Sequence, residues 1–236
     1  MPINSPSFLP IHFICPLTVV IVLSTLINIF DIDKILADYL YGLQGNIWVL
    51  KDNWLTEQVL HKGGRTASLL LAVVVIGLLV TSHCLSHWKQ HRKPLAYLLL
   101  AVAGGSLLVS FFKSFLAVSC PWEFQRYGGN LNYVTVFEQL GLRNGEGCFP
   151  AGHASAGYAW IALYFFWLNH SSNLRWAGLA IPLLAGITFG FAQQLRGAHF
   201  ISHDLWTLAI CWFYSLAIYL AMFKKTFNNK LQLRLV

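Results

Sequence analysis

Long apolar runs separated by short polar islands dominate the chain. Six runs approach the roughly 20 apolar residues that a helix needs to cross a bilayer. They lie at 8–30, 67–85, 95–118, 153–168, 174–195 and 205–223. The fourth is the shortest and is polar at its start. The first is too long for a signal-peptide core and has no basic leader or small-residue cleavage site, so it reads as a retained span. The pattern predicts an all-α polytopic membrane protein with six transmembrane helices, forming a single integral domain over residues 1–236. Residues 31–66 separate the first two runs. Their apolar positions recur at mixed helical spacing with Trp48 and Trp54, which predicts a helical outer loop at the membrane interface. That loop ends in His61-Lys62-Gly63-Gly64-Arg65, which reads as a glycine-loosened basic turn. It either caps a helix against lipid headgroups, or His61 or Arg65 helps to hold an anionic substrate. In the third run, Gly104-Gly105-Ser106 offers small residues that let a neighbouring helix approach.

The composition, 56% hydrophobic and 11% charged, excludes an ordinary soluble domain. Charge placement adds orientation. Six spans put both termini and the loops after spans two and four on one side, with Lys89, Arg92, Lys93, Arg175, Lys224, Lys225, Lys230, Arg234 and no acid. All nine acids fall on the other side. The positive-inside rule makes the first side cytoplasmic, which predicts a bacterial-type inner membrane protein with both termini in the cytoplasm. The net charge of +7 is then a topology signal and requires no nucleic acid partner.

Three polar islands collect on the outer face: Lys113 at the end of the third run, Cys148-Phe-Pro-Ala-Gly-His-Ala-Ser155, and Arg196-Gly-Ala-His-Phe-Ile-Ser-His-Asp204. On a helix, His199 and His203 would share one face. Basic groups gathered at the ends of several membrane helices suit a phosphate. Metal-free hydrolysis of a phosphoester needs a nucleophile, an acid for the leaving oxygen and fixed positive charge. Histidine serves the first two because it titrates near neutrality. Lysine, arginine and the free amides of a helix start serve the third, and Pro150-Ala-Gly-His153 has the form of such a start. A competing use of His153, His199 and His203 is zinc ligation, although a zinc protease of the HExxH kind would need glutamate where Phe200 stands. Cys15, Cys84 and Cys211 lie in apolar runs, whereas Cys120 and Cys148 bracket one loop on the oxidising face and are expected to form a disulfide.

Taken in order, Lys113-x6-Cys120-Pro121, Pro150-Ala-Gly-His153 and Arg196-Gly-Ala-His199-x3-His203 resemble the motifs of the type 2 phosphatidic acid phosphatase superfamily, KxxxxxxRP, PSGH and SRxxxxxHxxxD. The resemblance covers a core of about residues 105–215. It implies a membrane-embedded, metal-independent lipid phosphate phosphatase with no cofactor, whose partners are a phosphorylated lipid and the surrounding membrane lipids. His199 would be the nucleophile that becomes phosphohistidine, His153 the acid, and Lys113 and the Gly152 amide phosphate ligands. A lipid phosphotransferase and a degenerate lipid-phosphate-binding protein are the alternatives. The chain departs from the pattern in four places: Cys120 replaces an arginine, Ala151 a serine, Gln193 an arginine, and His203 an aspartate, with Asp204 one place on. His203 or Asp204 is therefore expected to orient His199, with Gln193 in support. Arg196 is expected to supply the missing guanidinium on phosphate, and Arg65 and Arg126 are the reserves.

Overall fold

The computed structural model describes residues 3–143, 145–168 and 172–232, so Arg234 lies outside the described residues. The described residues form helices and connecting loops, with one isolated β-bridge between Phe124 and Leu131. The helices are α1 (Cys15–Ile29), α2 (Ile32–Leu43), α3 (Gly64–Cys84), α4 (Arg92–Leu116), α5 (Val136–Leu142), α6 (Ser155–Tyr158), α7 (Ala162–Trp167), α8 (Ser172–Leu195) and α9 (Ile201–Gln232). A wider helical turn over Pro10–Ile14 leads into α1, and another over Leu55–Gly63 leads into α3. Among the described residues, five helical stretches are long and apolar enough to cross a membrane: Pro10–Ile29, Leu55–Cys84, Ser86–Glu123, Asn173–Leu195 and Ile201–Lys224. Their outer faces are apolar and exposed, as Leu70, Val73 and Val80 of α3 illustrate. This is the architecture of an integral membrane protein.

The fourth expected span differs from the rest. A helix begins at Ser155 instead of at His153 and runs through α6, a tighter turn at Ala159–Ile161 and α7. Thirteen helical residues rise only about 20 Å. This stack can be short because protein surrounds it: Ala154, Tyr158, Ala159, Ile161, Ala162 and Phe165 are all buried. Small residues permit the enclosure. A Cβ on Gly157 would run into the Gly186 backbone of α8, and one on Gly178 into Leu163. These pairs, 157 with 186 and 163 with 178, make the stack and α8 antiparallel. Gly104 does the same for α4 and α9, where its missing Cβ leaves room for the Tyr214 ring. Tyr97, fully buried, joins the three layers by donating towards the carbonyls of Ala162 (3.4 Å) and Ser215 (3.3 Å).

Residues 31–66, expected as an outer loop, contain two helical pieces, α2 and Leu55–Gly63. The expected loose turn at Gly63-Gly64 is continuous helix, with φ of −63° and −59°. The reason is packing: a Cβ on Gly64 would meet the Phe189 ring at 2.7 Å, so that glycine brings α3 against α8. The consequence for function is that His61 and Arg65 ride on a rigid helix. At the opposite end of the bundle, Arg92 donates to the Ser82 carbonyl (2.8 Å) and Lys93 lies over Phe223 (5.1 Å).

Candidate active site

Three connections at one end of the bundle build the site: the end of α4, the loop leading into α6, and the link between α8 and α9. The last of these is the most constrained. Gly197 takes a left-handed φ of +71°, and the amides of Gly197 and Ala198 close onto the carbonyls of Gln194 (3.0 Å) and Gln193 (2.9 Å). That is a glycine-dependent helix stop. His199 therefore does not share a helix with His203, as its spacing suggested. It stands two residues ahead of α9, and His203 lies in the first turn of that helix. The two rings nevertheless meet, with Nδ1 to Nδ1 at 3.4 Å. The outer segment holds the link in place: Gln44 donates to the Leu195 carbonyl (2.9 Å), the Ser202 amide to Asp33 (3.0 Å) and the Trp122 amide to the Gly197 carbonyl (3.1 Å). The Trp48 ring occupies the space a Cβ on Gly197 would need. His199 is only 3% exposed. Burial first, and then the nearby His203 and Lys113, hold its imidazole well below the ordinary histidine range, so it is a neutral base.

The second connection presents His153 two residues before α6. A cavity of about 310 Å³ is lined by Lys113, Gly152, His153, Arg65, Ser68 and Ser155, with Leu69, Ser106, Ser110 and Ala156. Lys113 leans over Gly152, with its Nζ 3.8 Å from where a Cβ would be. Burial, followed by the surrounding His61, Lys113, Arg196 and Arg65, pushes the His153 imidazole down to about 3. A cavity with this much positive charge favours an anion. The structure thus brings Lys113, Gly152, His153 and Arg65 together around one space; His199 and His203 are not among its lining residues, although His199 lies close enough to feel the charges of Lys113 and His153.

Three expected contributors lie elsewhere. The Arg196 guanidinium is already engaged: Nε donates to the Lys51 carbonyl (2.6 Å), Nη1 to Gln193 Oε1 (3.2 Å), and Nη2 forms an ion pair with Glu57. It is 7% exposed and does not line the cavity. The cavity's guanidinium is Arg65. Arg126 makes a two-pronged bond to Asp38 (2.6 Å for each nitrogen), joining the second outer loop to α2. Asp204 turns towards α8, where Gln194 donates to it, so His203 is the neighbour of His199. Sequence reasoning missed Glu57. Its Oε2 accepts from His61 Nδ1 at 3.2 Å, and His61 Nε2 contacts His153 Nε2. The signal was present, because Glu57 and His61 are four apart, the same spacing that drew attention to His199 and His203.

Arg196→Lys should cost thermal stability and turnover together. Lysine cannot reach three acceptors in three directions, and Glu57 would lose one of its two cations. A thermal melt beside a turnover assay checks this. Lost turnover at an unchanged melting temperature would return Arg196 to the role of phosphate ligand.

One polar end of this membrane helix bundle gathers histidines and cations around a cavity whose charge suits an anion. The PAP2 superfamily profile matches residues 94–227, more than half of the chain and enclosing every motif above, and the protein belongs to that superfamily. Membership supports a phosphatase-type hydrolase acting on a phosphorylated substrate. No curated protein and no solved structure matches the chain.

Proposed function

We propose that this protein is a metal-independent lipid phosphate phosphatase working through a phosphohistidine, with its site on the outer face of a bacterial-type inner membrane. One observation carries the lipid assignment. The cavity that holds Lys113, Arg65 and His153 continues along α3 and α4 past Ser110 to Ser106 and Leu69. Ser106 is seven residues, two helical turns or about 10 Å, from Lys113. A substrate with its phosphate at Lys113 would extend its stem between two lipid-facing helices, which suits a membrane lipid better than a soluble phosphoester.

The chemistry follows from the protons. His199 Nδ1 faces His203, so Nε2 is the nitrogen free to attack. For Nε2 to carry its lone pair, Nδ1 must carry the proton and give it to His203 Nδ1 as a hydrogen bond. The bond from Nε2 to phosphorus forms as the bond to the lipid oxygen breaks, and His153 protonates that oxygen. Water then attacks the phosphohistidine, His153 takes its proton, and inorganic phosphate leaves. Lys113, Arg65 and the Gly152 amide balance the charge on the non-bridging oxygens. His153 needs a proton to act as the acid, and an arriving phosphate anion offsets the cations that otherwise keep it neutral.

The test is phosphate release by purified protein from phosphatidate, phosphatidylglycerol phosphate, a polyprenyl diphosphate and a lipid A phosphate, with and without a chelator. At least one lipid should turn over, at a rate the chelator leaves unchanged. Release from soluble phosphoesters alone would remove the lipid assignment, and loss with chelator would replace the histidine mechanism with a metal one.

A further inference from the structure

Resting on that reading, we infer that Glu57 and His61 are a carboxylate–imidazole pair that positions His153 and sets which of its nitrogens meets the substrate. The argument begins at Glu57. Its carboxylate is held by Lys62 (3.3 Å) and by Arg196, two cations that keep it ionised and therefore an acceptor only. His61 Nδ1, 3.2 Å away, must then carry the proton. A neutral His61 is left with a lone pair on Nε2, and that atom contacts Nε2 of His153. His153 must place a proton there. Its Nδ1 is buried without a hydrogen-bond partner among the described residues, on a ring that lines the cavity. Nδ1 is the atom that gives and takes the proton of the leaving oxygen and of water.

The same chain stabilises the charged form. When His153 is an imidazolium, its Nε2–H points at an imidazole backed by a carboxylate, the arrangement by which an acid orients and supports a catalytic histidine elsewhere. The other charged groups acting on His153 are Lys113 of α4, Arg65 of α3 and Arg196 of the α8–α9 link, all cations. A charged His61 would act in the same direction, but a neutral His61 that gives its one proton to Glu57 presents a lone pair to His153 instead. Arg196 thereby acquires a role at the site without touching phosphate. The fold gives this pair its precision, because Leu55–Gly63 is helical and continuous with α3, which fixes residues 57 and 61 on one face.

The experiment compares His61→Gln and Glu57→Gln with the unaltered protein on two substrates. Phosphatidate has an alkoxide leaving group that needs an acid, whereas p-nitrophenyl phosphate has an aryl leaving group that needs none. In His61→Gln, kcat on phosphatidate should fall about tenfold or more, a typical scale for weakening general acid catalysis. KM should not change, and the first-turnover release of the aryl leaving group, which precedes hydrolysis of the phosphohistidine, should be spared. Glu57→Gln should show the same selectivity. The alkaline limb of kcat on phosphatidate should move to lower pH, because the acid form of His153 loses support. Adding His61→Gln to His153→Ala should cost nothing more, since the two act as one unit. An equal loss on both substrates with an unmoved pH profile, or an additive loss in the double variant, overturns the pairing while leaving the phosphatase reading in place. No phosphate release by the unaltered protein from any lipid overturns both.

Discussion

His199→Ala is expected to abolish phosphate release from a protein that still folds. The residue stands in a link held from outside by Gln44, Asp33 and Trp122, and none of those bonds uses the imidazole. His153→Ala should retain slow turnover confined to substrates with good leaving groups, because nucleophilic attack survives the loss of the acid. Removing an acid–base group typically costs a hundredfold or more, and removing the nucleophile should cost more still. The intermediate gives a second measurement. A phosphohistidine is labile in acid and stable in alkali, so labelled phosphate should appear on the unaltered protein, accumulate in His153→Ala and be missing from His199→Ala. Label retained in a folded His199→Ala protein would assign the nucleophile to another residue.

The second large effect is expected at the Cys120–Cys148 pair. Both residues are buried, their Cα atoms are 5.2 Å apart and their sulfurs are at bonding distance. A crosslink over a sequence separation of 28 contributes about 3–4 kcal/mol in the loop-entropy view. Its position carries the effect into the site. Cys148 returns alongside the end of α4, its amide donating to the Val118 carbonyl (2.7 Å), and Phe149, Pro150 and Gly152 follow directly. The crosslink therefore sets Lys113 against Gly152. Reduction, or Cys120→Ser with Cys148→Ser, should lower the melting temperature and weaken turnover together. Mass analysis with alkylation should find both thiols blocked in oxidised protein. Free thiols at both positions with an undiminished melting temperature would remove the brace.

Residues close in sequence were legible because their relation is local. Apolar runs marked the bundle, with helix ends displaced by a few residues. His153 and Lys113 were recognisable as basic groups at helix ends. Cys120 and Cys148 stood out as the cysteines outside the apolar runs. The four-residue spacing of Glu57 and His61 was visible, but its meaning was not, because it depends on partners far along the chain: His61 meets His153 across 92 residues, and Arg196, which pairs with Glu57, reaches the Lys51 carbonyl across 145. An ion pair of this kind leaves no periodic trace in a sequence.

What the sequence determined alone was an all-helical membrane protein and the family whose motifs lie within residues 94–227. Hydrophobic periodicity is written one turn at a time, and a histidine at a membrane boundary is conspicuous wherever it points. Tertiary structure decided how those groups are used. A glycine at φ +71° ended α8 before His199 and turned Arg196 towards Glu57. Enclosure by α4, α8 and α9 allowed the stack from Ser155 to Trp167 to be shorter than a bilayer requires. The direction of a side chain and the depth of a helix are set by what packs against them, and packing partners are chosen only when the whole chain has folded.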